Sequence, residues 1–160
     1  MNRLLIQLRA TIFLSFLSSG LLLQSATVTA QDADIEAAIT GAMQALDEFM
    51  LHFNARDPNA WAGTLNYPHV RFASGSVTVW ETREEFAQTS AFERLPLTGW
   101  DHSHWLSRNV ILASPGKVHI DTVFQRFNER NEVIGTYQSL YIVTLVNGHW
   151  GTQARSSLAP

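Results

Sequence analysis

The stretch WDHSHWLSRNVILASPGKVHIDTVFQRFNERNEVIGTYQSLYIVTLVNGHWGTQARSSL, residues 100–158, decides the fold. It contains four runs rich in β-branched and aromatic residues, 100–114, 117–127, 133–146 and 149–158, separated only by short breaks with turn chemistry. Those breaks are Pro115-Gly116, the segment 128–132 and Asn147-Gly148, the last being the strongest short hairpin signal that a sequence offers. The pattern predicts an antiparallel meander. The residues before it then serve as cover for one face, and a curved sheet with helices over one face leaves a pocket.

The rest of the chain sets the bounds. With 160 residues, 46% hydrophobic and 16% charged, there is material for one globular domain and an N-terminal segment. Residues 1–30 read as a signal peptide: Arg3 and Arg9 give a positive start, 10–23 is an apolar run shorter than a membrane-spanning helix, and Val28-Thr29-Ala30 is a small-residue cleavage site. Residues 31–160 are then the single mature domain, periplasmic or secreted, with no membrane association after cleavage. Without Arg3 and Arg9 it carries nine basic against fourteen acidic residues, a net charge near −5 with one lysine, Lys117, which argues against a nucleic-acid partner. The chain has no cysteine, so disulfides, thiolate catalysis and cysteine-ligated metals are excluded.

Upstream of the meander, Ile35, Ile39, Ala42, Met43, Leu46, Phe49, Met50 and Phe53 recur at helical spacing behind a cap at Asp32 or Asp34. Asp57-Pro58 starts a second helix expected to reach Leu65. A short hairpin follows over 69–73 and 76–81 about Ser74-Gly75, and then a third helix over 82–95 whose capping box pairs Thr82 with Glu85.

This order of elements, the Tyr67-Pro68-His69 lead into the first strand, the Thr82-Arg83-Glu84-Glu85-Phe86 box and the closing GTYQSLYIVTLVNGHWGTQARSS resemble the NTF2-like superfamily and its SnoaL-like, ketosteroid-isomerase-like branch. The resemblance implies an α+β cone, a strongly curved antiparallel sheet wrapped on a long N-terminal helix with two shorter helices. It further implies an internal cavity and a homodimer through the outer sheet face. It implies no single activity, since the superfamily holds isomerases, cyclases, dehydratases, epoxide hydrolases and noncatalytic members.

Two-residue turns at Pro115-Gly116 and Asn147-Gly148 set Ser114 opposite Lys117 and Val146 opposite His149. Carried along the strands, they put His102, His104, Leu106, Arg108, Val110, His119, Asp121, Tyr137 and Tyr141 on one face and Ser103, Trp105, Phe124, Arg126, Gln153 and Arg155 on the other, subject to any bulge. Asp121 then falls opposite Val110 and diagonal to Arg108, either as a general acid or base walled by valines or as half of a cross-strand ion pair. His102-Ser103-His104 places two imidazoles on one face without an evident third ligand, so no metal and no cofactor are expected.

Two functions from different classes remain. One is a proton-transfer isomerase, cyclase or dehydratase acting on a small, largely apolar molecule, with His69, His102 and Asp121 as catalytic residues. Its pocket contacts are Tyr67, Asp101, Trp105, Tyr137, Tyr141, Gln153 and Arg155, and its site lies where Tyr67 and His69 approach 101–105. The other is a noncatalytic periplasmic binding or assembly module using the same cavity.

Overall fold

The computed structural model describes residues 19–73 and 75–159. Most of the segment expected to be a signal peptide, residues 1–18, and Ser74 of the first hairpin turn lie outside them.

The first helix, α1, spans Ser19–Asn54. It does not begin at Asp32 or Asp34 as expected: no proline falls between Ser19 and Asn54, and the helix runs through Val28-Thr29-Ala30 without interruption. From Asp34 onward α1 belongs to the compact unit Asp34–Pro160. There Ala38, Ala42, Ala45, Leu46 and Phe49 are buried, with Ile39, Met43 and Phe53 packed at their margin. The apolar stripe lies on the sheet as its spacing requires.

Three short helices follow: α2 Pro58–Ala62, α3 Arg83–Ala87 and α4 Ala91–Arg94, the last running into a 3₁₀ turn Leu95–Thr98. Asp57 caps α2 by accepting from the backbone N–H groups of Asn59 and Ala60, and α2 stops at Gly63 rather than reaching Leu65. The cap of α3 forms as expected, with Thr82 Oγ1 accepting from Glu85 N, while the returning Glu85 Oε2 accepts from Glu81 N, one residue before the cap. The expected single helix over 82–95 is divided at Gln88–Ser90, where Thr89 Oγ1 takes the N–H of Ala91 and competes with the helical pattern.

The strands are β1 Leu65–Ala73, β2 Ser76–Trp80, β3 His102–Ser114, β4 Lys117–Phe127, β5 Val133–Val146 and β6 His149–Ser157. They form one sheet in the order β2-β1-β6-β5-β4-β3. The meander β3 to β6 is antiparallel as expected, but β1 joins β6 in parallel, so the sheet is mixed. Both turn predictions hold in register, with Ser114 opposite Lys117 and Val146 opposite His149. Asn147 and Gly148 have φ of 52° and 81°, the positive pair that a type I′ turn demands.

Beyond those turns the face assignments change, because β3 carries two irregularities, between Val110 and Leu112 and between Trp105 and Ser107. Each offsets the pairing by one residue, so Asp121 faces Asn109 instead of Val110, and Ser103 and Trp105 join Arg108 and Val110 on the helix side. The β4–β5 register sets Ile120 opposite Tyr141, Thr122 opposite Ser139 and Phe124 opposite Tyr137. In β4 the even positions Val118, Ile120, Thr122, Phe124 and Arg126 are buried while Asp121 is exposed.

Candidate functional site

A cavity of about 640 Å³ lies between α1, the short helices and the inner face of the sheet. Its apolar wall is aromatic. Phe49 and Phe53 come from α1, Trp61 from α2, Phe86 from α3, Trp80 from β2 and Phe124 from β4. Trp61 is the hub of this wall, with ring centroids 5.4 Å from Phe49, 5.0 Å from Phe53, 4.8 Å from Phe86 and 5.2 Å from Phe92. Hydroxyl groups of Ser76, Thr78, Thr89, Ser90 and Thr98 line the same space.

The charged part of the wall is uniform in sign. Arg71, Arg94, Arg126 and Arg155 line the cavity, and no aspartate or glutamate is among its described lining residues. Strand alternation explains three of them. Arg126 continues the inward row of β4, Arg71 shares a face of β1 with buried His69 and Ala73, and Arg155 pairs with Arg71 on one side and Tyr141 on the other. The guanidinium of Arg155 lies 5.3 Å from the ring centroid of Phe49 and 5.4 Å from that of Trp61, and that of Arg126 lies 4.9 Å from that of Tyr137. Burial, together with the neighbouring Arg155 charge, brings Arg71 down to about 10, and burial likewise lowers Arg126. Burial raises the Tyr141 phenol despite the arginines beside it, so it remains protonated at neutral pH.

Of the residues expected at a site, Tyr141 and Arg155 line this cavity. His69 is fully buried behind Trp80 and Phe86, with Nδ1 2.9 Å from the carbonyl of Thr152. Burial, reinforced by the Arg155 and Arg71 charges, lowers it to about 3. It is therefore a neutral imidazole at neutral pH, and its expected role as a proton-transfer residue is corrected. His102 and Asp101 stand elsewhere, since β1 and β3 have β6, β5 and β4 between them. Asp101 bridges Arg56 at 3.2 Å and His102 at 2.8 Å, and the His102 ring stacks on Phe127 at 5.1 Å. The expected meeting of Tyr67 and His69 with 101–105 does not occur.

Asp121 is exposed on the outer face, separated from Tyr137 and Tyr141 by the alternation of β4 and β5. It has no ion pair with Arg108, which instead reaches α1, bonding the Met43 carbonyl at 3.1 Å and Asp47 at 2.6 Å. The remaining pocket candidates serve the scaffold. Tyr67 donates to the Ala62 carbonyl, Trp105 Nε1 to the Leu46 carbonyl and Gln153 Nε2 to the Pro68 carbonyl, while Tyr137 packs on Phe124. His102 and His104 lie with ring centroids 5.0 Å apart, and among the described residues no group of three or more ligating side chains is placed to hold a metal.

Sequence reading missed Arg71, Arg94 and Arg126 as site residues. The signal for Arg126 was present: it falls two positions after Phe124 in a strand whose apolar residues occupy alternate places. Arg71 carried no such signal, since its neighbours Val70 and Phe72 are the apolar ones and made the opposite face look like the inner one.

A family described as NTF2-like protein (DUF6841) matches residues 27–154. Comparison with curated proteins gives no match. Among solved structures, a protein of unknown function with a cystatin-like fold from Nostoc punctiforme is 14% identical with a TM-score of 0.61, covering 76% of this chain and 90% of that one. A ketosteroid isomerase-like protein from Erwinia carotovora atroseptica is 20% identical with a TM-score of 0.56, covering 76% and 96%. A protein from Catenulispora acidiphila in complex with S-DNPA is 14% identical with a TM-score of 0.61, covering 77% and 93%. These likenesses are of fold. With most of its length matched and its helix-on-sheet architecture shared, the chain belongs to the NTF2-like protein family (DUF6841).

Proposed function

We propose that the domain is a binding module whose internal cavity holds a small, largely apolar molecule. The observation that carries this reading is the aromatic enclosure itself, about 640 Å³ walled by Trp61, Trp80, Phe49, Phe53, Phe86 and Phe124, a size and lining that suit a small organic ligand. A proton-transfer enzyme needs groups that exchange protons near neutral pH to converge on the ligand. The described lining holds no aspartate, glutamate or histidine, and its Tyr141 phenol and Arg71 guanidinium hold their protons there, so binding is favoured over isomerase, cyclase or dehydratase chemistry.

The basic start, apolar run and cleavage site in residues 1–30 support action outside the cytoplasm. Exposed Leu106, Leu112, Ile134 and Leu145 on the long strands support a homodimer, to be checked by light scattering at micromolar concentration, where a monomer mass contradicts it. The binding reading is tested by isothermal titration with naphthalene-sized probes. Saturable one-to-one binding that Ala91→Trp weakens, by narrowing the cavity, supports it; no binding at millimolar probe overturns it.

A further inference from the structure

Four charges of one sign face a cavity whose remaining lining is aromatic, aliphatic or neutral and polar. Among the described residues, none of Arg71, Arg94, Arg126 and Arg155 forms an ion pair, whereas Arg56, Arg108 and Arg130 each hold a carboxylate. Arg71 and Arg155 are direct partners across the β1–β6 ladder, a like-charge juxtaposition that costs stability wherever nothing compensates it. Buried charge is ordinarily paired, because removing an ion from water is expensive.

The hydrogen-bond inventory points the same way. Trp61 Nε1, Arg126 Nε and Arg155 Nε are buried donors without a protein acceptor, and all three residues line the cavity. A buried donor that finds no acceptor loses the full benefit of its hydration. Stacking of the Arg126 and Arg155 guanidiniums on aromatic rings satisfies their faces, Arg126 also bonds the Tyr137 phenol and Arg155 the Tyr141 phenol, and the buried Nε–H of each is left for a planar oxyanion.

We propose that the ligand of this cavity is an organic anion, an aromatic or other apolar body bearing a carboxylate, with its acid group received among Arg71, Arg126 and Arg155 and its body against the aromatic wall. Arg94, exposed on α4, adds positive potential beside the cavity for an incoming acid. The Tyr141 phenol, protonated beside Arg155, supplies a further donor. This inference rests on the reading of the cavity as a binding site and adds to it the charge of the ligand.

The test uses a matched pair, 2-naphthoate and 2-naphthylmethanol, titrated calorimetrically into the full chain at neutral pH and moderate salt. The acid is expected to bind at least about tenfold more tightly than the alcohol, the scale of one charge-assisted hydrogen-bonded pair. Arg126→Met and Arg155→Met should each weaken the acid about tenfold and leave the alcohol within about twofold, which also reports that the variants fold. Equal affinities for acid and alcohol, or arginine variants that keep the preference for the acid, overturn the anion proposal and leave the cavity reading standing. Failure of both probes to bind overturns the cavity reading itself.

Discussion

Two clusters of charge in this molecule differ in one respect. At the start of β3, Asp101 holds both Arg56 and His102, and His102 rests on Phe127, so each charge has a partner and the group is closed on itself. On the inner face of the sheet, Arg71, Arg126 and Arg155 gather around Tyr141 without a carboxylate, and two of the guanidiniums keep buried donors unmatched. Residue types alone made the first cluster look like the active one, since histidine beside aspartate suggests proton transfer. Satisfaction of hydrogen bonds and charge reverses the order: the closed cluster is scaffold, and the open one is where a ligand has something to supply.

The largest effect expected from breaking this contrast is at the wall that encloses the open cluster. Trp61→Ala removes the ring shared by Phe49, Phe53, Phe86 and Phe92 and should cost about 3 to 5 kcal/mol in denaturant unfolding. A loss below about 1 kcal/mol would show that the aromatic enclosure is not the core that shapes the cavity.

Next comes the acid side of His69. Its folded pKa, about 3, lies below the ordinary value of 6.5, so its contribution to stability is complete above pH 6.5 and is lost as pH falls toward 3. The loss over that window is on the order of 4 kcal/mol, at 1.36 kcal/mol for each pH unit. His69→Asn, which offers a donor to the Thr152 carbonyl but does not titrate there, should flatten the fall in melting temperature between pH 6.5 and 4 relative to the wild type. Parallel pH profiles for the two proteins would contradict the buried, neutral imidazole.

The fold was legible where local chemistry is decisive. Asn147-Gly148 announced its turn, Thr82 and Glu85 their capping box, and the 3.6-residue apolar period the inward face of α1. The face assignments were not, because no residue type marks the irregularities in the β3–β4 and β5–β6 ladders that offset them. The site followed the faces. Asp121 was placed with the tyrosines although no two-residue turn fixes the β4–β5 register, in which it pairs with Leu140, and Arg71 is turned inward by the parallel pairing of β1 with β6, a contact between residues more than eighty positions apart.

Smaller effects sharpen the contrast further. Gly148→Val has open space for its side chain but forces a β-branched residue to φ near 81°, so it should cost on the order of 1 to 3 kcal/mol through the turn alone. An unchanged melting temperature would remove the hairpin as the device that starts the β5–β6 register, which the irregularity between Ile142 and Val143 then offsets by one residue to set Arg155 opposite Tyr141. Smallest of all, Asp101→Asn should cost at most about 1 kcal/mol, as expected for a half-exposed pair, and leave 2-naphthoate binding within about twofold. A tenfold loss of binding in that variant would place the closed cluster in the site.

The most direct test observes the arginines themselves. In a side-chain ¹H–¹⁵N NMR titration with 2-naphthoate, the Nε–H resonances of Arg126 and Arg155 should shift in a saturable manner, while those of Arg56, Arg108 and Arg130, each already holding a carboxylate, stay in place. Shifts confined to the paired arginines, or no movement of Arg126 and Arg155 at saturating ligand, would contradict the assignment of the open cluster as the anion site.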